Sequence, residues 1–173
     1  QWLQGKLEEE SDNHSREEIA KMVEPWKVPL ILGVDAHRID VDHTQHYNSA
    51  QHVDRSGRLV ARYDKMHPVM FGEYVPFADW FPWIYRLTPL PGGLTAGERA
   101  VAFDVGGLRL APNICYESIL PHVIRRPVNM LAERGREPDV LVNLTNDGWF
   151  WGSSELDLHL VCGVFRAVEC RKP

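Results

Sequence analysis

The hydrophobic pattern of this chain changes period several times, and the order of those changes leaves few folds open. Val101–Val105 and Leu108–Ile114 are apolar runs on either side of Gly106-Gly107, which predicts a hairpin with a tight turn. Asn48–Val53 and Arg58–Tyr63 flank Asp54-Arg55-Ser56-Gly57 and predict another hairpin. Val28–Val34 and Val140–Leu144 are further short runs of β character. Helical patterns lie around them. Ser15-Arg16-Glu17-Glu18 fits a capping box, so a helix is expected from Ser15 to just before Pro25. Ser118–Arg134 reads as a helix interrupted or kinked at Pro127. Leu160, Val161, Val164, Phe165 and Val168 recur at helical spacing, which predicts a helix over Glu155–Glu169 with that stripe on the core. Helix, strands, helix, strand, helix is the order of a layered α/β protein with a mixed sheet.

A chain of 173 residues is long enough to bury a core of its own. Its 44% apolar and 25% charged residues exclude a disordered tail or a collagen-like repeat. A net charge of −5 argues against nucleic acid as the main partner. No stretch free of Asp, Glu, Lys and Arg exceeds eleven residues, and a membrane-spanning helix needs about 20 apolar ones. Three cysteines do not suggest a disulfide framework. Cys162 and Cys170 fall in one expected helix roughly 12 Å apart, beyond disulfide reach. There is no Cys-x-x-Cys pair, so no structural zinc is expected.

Chemistry enters at the end of the strand Leu108–Ile114, where Cys115-Tyr116-Glu117-Ser118 leads into a helical pattern. A thiol at a strand-to-helix junction faces a cleft at the strand ends, and a helix N-terminus favours the thiolate. On position alone a buried structural cysteine is the commoner outcome. Upstream, Lys65 ends a hairpin strand and Glu73 follows after Gly72. A lysine ammonium can stabilise a thiolate or the oxyanion of a tetrahedral intermediate. Alone, a solvated lysine and a surface glutamate explain that pair as well.

Four motifs in order decide between these readings. Tyr-x-Lys-x-His with Phe-Gly-Glu-Tyr-Val-Pro (Tyr63–Pro76), Ile-Cys-Tyr-Glu (Ile114–Glu117), Asn-Asp-Gly-Trp-Phe (Asn146–Phe150) and Phe-Arg-Ala-Val-Glu (Phe165–Glu169) together resemble the carbon–nitrogen hydrolase (nitrilase) superfamily. Phe-Gly-Glu-Tyr-Val-Pro and Cys-Tyr-Glu point within it to the apolipoprotein N-acyltransferase family. The resemblance runs from about Val28 to the end. It implies a nitrilase-like α-β-β-α sandwich and a Glu-Lys-Cys triad. Lys65 matches the triad lysine and Cys115 the nucleophile. Glu73 matches an additional essential glutamate, and Tyr116 and Glu117 the residues that shape the site beside the cysteine. Trp149 and Phe150 match the motif expected to line the cleft, although the following Trp151-Gly152 departs from the family pattern.

The triad glutamate has no match. Glu8, Glu9 and Glu10 lie in a polar run with no strand before them. Residues 1–173 are therefore expected to be part of one nitrilase-like domain, incomplete at both ends. The strand bearing the general base, a membrane region and a closing C-terminal strand would lie outside, and the piece alone would be inactive. The implied reaction is transfer of a fatty acyl group from a phospholipid, through a Cys115 thioester, to the N-terminal amine of a diacylglyceryl-cysteine lipoprotein. It calls for no metal or organic cofactor. The expected setting is the extracytoplasmic side of a bacterial inner membrane, with the membrane surface and the lipoprotein N-terminus as partners.

The aromatic distribution agrees with a lipid substrate. Tyr74, Phe77, Trp80, Phe81, Trp83 and Tyr85 fall within twelve residues, and Trp and Tyr favour the membrane–water interface. With Pro76, Pro82, Pro89 and Pro91 nearby, the segment is expected to be a lid or arm rather than a helix. The alternative is a loop packed on its own sheet. Asp40, Asp42, His43 and His46 form a weak metal candidate. His67 is read as structural, Asn146–Gly148 as an Asx turn, and Arg166 with Glu169 as an i, i+3 pair. Two rival functions share the motifs: a soluble amidase or nitrilase acting on a small amide or nitrile, and an inactive nitrilase-like module that binds lipid.

Overall fold

The structure is a computed structural model that describes residues 17–39, 44–78, 80–88, 90 and 92–173. The chain divides into two compact units, residues 1–32 with 51–62 and residues 33–50 with 63–173. Its elements are helix α1 (residues 17–23) and strands β1 (Leu30–Ile39), β2 (Thr44–Val53), β3 (Leu59–Asp64), β4 (Phe103–Val105) and β5 (Leu108–Ile114). Helix α2 (Pro121–Glu133), strand β6 (Val140–Leu144) and helix α3 (Glu155–Cys170) follow. Two three-stranded sheets result, ordered β1-β2-β3 and β4-β5-β6. The mixed α/β class expected from the sequence is the one observed. No described helix is long and apolar enough to cross a membrane.

In the first unit Val23 and Val53 are fully buried. The β2–β3 turn is held by Asp54, whose carboxylate accepts from the backbone N–H of Ser56 and Arg58. The Ser56 hydroxyl and then the Arg58 N–H hold the Asp54 carboxyl well below the usual carboxylate range. Gly57 closes this turn at φ +80°, and a Cβ there would sit 2.7 Å from Ala20. Both facts demand glycine.

In the second unit β4 and β5 pair antiparallel, with Val105 opposite Leu108 across the Gly106-Gly107 turn. β5 and β6 pair parallel, from Leu110 opposite Val140 to Ile114 opposite Leu144. A parallel pair needs a crossover, and α2 supplies it. Ala100, Ala102, Ala111 and Leu131 are buried together, with Leu141 packed against them. Small residues let helix and sheet approach, and Leu131 contributes about 2 kcal/mol by burial. Both parallel strands end on the same side, where α/β folds commonly place their chemistry.

Three expectations need correction. The first apolar strand is longer than Val28–Val34, because β1 continues through alternating polar residues to Ile39. The helix expected over Ser118–Arg134 starts later. Cys115–Ile119 is a 3-10 turn, and α2 begins only at Pro121, whose fixed φ and missing N–H suit a first helical position. Pro127 lies inside α2 without ending it. The apolar stripe of α3 is not on the core: Leu160, Val161, Val164, Phe165 and Val168 are all exposed in this chain. The inward face carries His159 and Arg166. They point inward because the turn after Cys115 presents carbonyl oxygens that need donors. The Ser15 cap, Asp40, Asp42 and His43 lie outside the described residues.

Candidate active site

Lys65 follows directly on β3 and is held in an extended setting from both sides. Its N–H donates to Asn48 O, and its carbonyl accepts from Gly97 N–H. Gly97 lies so close to the Asp64 carbonyl oxygen that no Cβ would fit. Lys65 is 1% exposed, so its ammonium must have a partner. Glu73 provides it, with both carboxylate oxygens 2.7 Å from Nζ. Glu73 Oε2 also accepts from the Val69 N–H at 2.7 Å, which fixes the carboxylate from behind. The turn residues between lysine and glutamate thus fold the loop back onto its own cation.

Cys115 is half-buried at the end of β5 and adopts φ +51°. A non-glycine residue in the left-handed region is strained by about 1–2 kcal/mol and persists only when its surroundings enforce it. The sharp elbow turns the chain from strand into the 3-10 turn. Tyr116, next along, is more than one-third exposed. The Cys115 carbonyl accepts from Ser118 Oγ at 3.1 Å and from Asn143 Nδ2 at 3.2 Å. Asn143 is aligned by its register partner Asn113, whose Oδ1 accepts from Nδ2 at 2.6 Å.

Glu117 joins the lysine and cysteine segments. It is fully buried, and its Oε1 accepts from the N–H groups of Met66 (2.8 Å) and His67 (3.0 Å). Its Oε2 accepts from the Ile114 N–H at 2.7 Å. The Tyr63 hydroxyl donates to the same carboxylate. One side chain therefore holds the residue after Lys65 and the residue before Cys115. Burial pushes the Glu117 carboxyl above its ordinary range, against the opposing pull of these donors. Burial and then the Glu117 charge push the Tyr63 phenol up as well, which keeps it a donor.

The sequence reading did not single out His159. It is buried on α3, with Nδ1 2.9 Å from both oxygens of Asp147 and Nε2 2.7 Å from Ser118 Oγ and 3.1 Å from Cys115 O. Asp147 opens a 3-10 turn after β6 (Asp147–Phe150), and Asn146 Oδ1 accepts from Gly148 N–H in the expected Asx turn. A signal for His159 did exist: two polar residues seven apart, His159 and Arg166, share one face of an apolar helix. Arg166 pairs with Glu169 at 2.8 Å as expected, and it also donates to the carbonyls of Ser118 and Ile119.

Of the residues read as a site, the structure ties Lys65, Glu73, Glu117 and Cys115 into one assembly. Phe150 lies after β6 with its ring half-exposed. The expectation placed on the Trp149 side chain lies outside what the structure describes. His67 donates its backbone N–H to Glu117, and its ring meets the His122 ring edge-on. His46 instead meets the His37 ring edge-on, and no metal-ligand cluster occurs among the described residues. The aromatic segment is built of turns and a 3-10 turn over Pro82–Leu87, with Phe77, Trp80, Phe81 and Trp83 exposed. That exposure disfavours a loop packed on its own sheet.

Similarity to known proteins identifies the family. The chain is 36% identical over 147 residues to apolipoprotein N-acyltransferase of Rhodopirellula baltica, covering 84% of this chain and 26% of that protein. It is likewise 36% identical over 147 residues to the enzyme of that name from Geobacter metallireducens, covering 85% and 27%. The chain thus spans about a quarter of the length of these relatives. Among solved structures, a carbon-nitrogen hydrolase from Helicobacter pylori superposes with a TM-score of 0.62 at 14% identity, over 91% of this chain and 48% of that one. A nitrilase-superfamily member from Saccharomyces cerevisiae gives 0.60 at 16%, over 92% and 48%. These two likenesses establish the fold as that of the nitrilase superfamily. Residues 4–173 match the carbon-nitrogen hydrolase family, and with the fold, the motifs and the relatives in agreement, the chain belongs to that family.

Proposed function

We propose that Cys115 takes a fatty acyl group from a phospholipid as a thioester and passes it to the N-terminal amine of a diacylglyceryl-cysteine lipoprotein. The observation that carries this reading is the single Glu117 carboxylate holding both the Lys65 and the Cys115 segments. An inactive lipid-binding module has no need of a buried lysine held by Glu73 and tied through Glu117 to the segment of a strained cysteine. The names of the relatives add the acceptor: apolipoprotein N-acyltransferases act on lipoproteins.

In this mechanism a general base removes the Cys115 thiol proton. Glu73 is committed to Lys65 and Glu117 to four donors. The resemblance implies that the base is a glutamate outside this assembly. The sulfur attacks the ester carbonyl, and the Lys65 ammonium stabilises the oxyanion. The intermediate collapses, the lysophospholipid alkoxide leaves with a proton, and a thioester remains. The lipoprotein amine attacks it, forming the amide and returning the thiol. Glu73 sets the position of Lys65. The exposed aromatics beyond Glu73 meet the lipid surface and help exclude water from the thioester. Residues 1–173 act as part of one larger domain on the extracytoplasmic side of a bacterial inner membrane.

The full gene product, incubated with phospholipid vesicles, is expected to gain an acyl mass on the Cys115 peptide. Hydroxylamine should release it, and Cys115→Ala should abolish it. A folded protein that acquires no such adduct, yet releases ammonia from small amides, would turn the assignment to the soluble amidase reaction.

A further inference from the structure

We infer that Asp147 and His159 form a positioning pair that holds the nucleophile elbow at Cys115. Cys115 stands at φ +51°, a conformation that relaxes unless its carbonyl is pinned. The pin has three parts: Ser118 Oγ at 3.1 Å, Asn143 Nδ2 at 3.2 Å and His159 Nε2 at 3.1 Å. Ser118 has one hydroxyl proton and stands 2.7 Å from the same Nε2, so the imidazole fixes that hydroxyl as well. Asp147 can only accept as a carboxylate, so His159 Nδ1–H donates to it, while Nε2–H donates to the Cys115 carbonyl and Ser118 Oγ; with both ring nitrogens as donors the ring plane is locked. Thr145 Oγ1 donates to Asp147 Oδ1 at 2.7 Å and anchors the pair to the end of β6. The chain of contacts thus runs from β6 through α3 to the backbone of the reactive residue. His159 touches no reacting atom in this scheme; it acts through the Cys115 carbonyl.

The inference rests on the reading of Cys115 as the nucleophile, but its test does not require acyl transfer to occur. Iodoacetamide labelling of the full gene product, followed peptide by peptide, reports Cys115, Cys162 and Cys170 separately. In His159→Ala and His159→Asn the Cys115 rate should fall about 10- to 100-fold, as expected when a reacting atom shifts by an ångström. His159→Gln, whose amide nitrogen reaches the position of Nε2, should recover most of that rate. Cys162 and Cys170 should label as in the wild type. With phospholipid and a diacylglyceryl-cysteine peptide, the same variants should lose kcat at unchanged KM. Equal Cys115 rates in all variants, or a glutamine variant no better than the asparagine one, would overturn the inference. Faster labelling of Cys162 and Cys170 in His159→Ala would signal a loosened helix. The decision then passes to Asp147→Asn, which keeps shape: a slowed Cys115 supports the pair and an unchanged one removes it. If the variants slow at Cys115 while the wild type never forms an acyl adduct, the acyl-transfer reading fails and the positioning pair stands.

Discussion

Around Glu117, both carboxylate oxygens have donors within 3.0 Å, and the side chain is wholly shut off from solvent. A few residues past Lys65, in the same unit, Phe71, Phe77, Trp80 and Trp83 expose more than half of their surface. The usual rule puts charge outside and aromatics inside. Here it is reversed twice within one compact unit. The buried charge is affordable because every lone pair it presents is used. The exposed rings bury little surface within this chain, and in the proposed function that surface meets lipid. Stability and recognition are written into different side chains, and the two can be broken separately.

The largest effect is expected from Glu117→Ala. It strips acceptors from three backbone N–H groups and a buried phenol, which should cost about 4 kcal/mol in urea unfolding. Next is Glu73→Ala, which leaves the Lys65 ammonium buried without its carboxylate and should cost about 3 kcal/mol. Adding Lys65→Met should restore part of that stability and none of the acyl transfer, since an apolar pair suits the site once the charge is gone. Trp80→Ser and Phe77→Ser should move stability by no more than about 0.5 kcal/mol. They should weaken sedimentation with phospholipid vesicles about fivefold, roughly 1 kcal/mol. Unchanged vesicle binding would show that the exposed rings serve some contact other than lipid.

The smallest effect is a slope with pH. The Glu117 carboxyl is raised in the folded protein, so the folded state binds the proton more tightly than the unfolded one. Its contribution is fully present below the unfolded carboxyl range and is lost as pH rises through the raised folded value. Stability should therefore decline across that window. Glu117→Gln, although less stable, should lack this part of the decline.

Much of this was legible from the chain, and the reasons differ by residue. Gly106-Gly107 fixes its hairpin because a tight turn accepts few other pairs. Cys115 and Lys65 were readable because strand ends are where chemistry collects, and the ordered motifs raised them above ordinary residues. The role of Glu117 was not readable, since its donors lie some fifty residues away in sequence. Spacing alone gives no such pairing. Helix α3 misled for another reason. A helical stripe shows that a face is apolar, but not which face the rest of the chain covers, and here His159 and Arg166 took the inside. The 3-10 turn after Cys115 also fell outside the pattern, because a five-residue turn has no period to read.

The span between Glu117 and its distant partners also sets when the centre can come into being. The Tyr63 hydroxyl and the Met66 and His67 amides lie 54, 51 and 50 residues from Glu117. Closing a loop of that size carries an entropic penalty that only later contacts repay. The Ile114 amide, three residues away, is available from the start. During folding the cysteine arm can form its own local turn early, but the lysine arm must wait for long-range docking. A nascent or partly unfolded chain accordingly has the cysteine turn without the docked lysine arm, and the assembly around Glu117 is completed last, together with the tertiary structure.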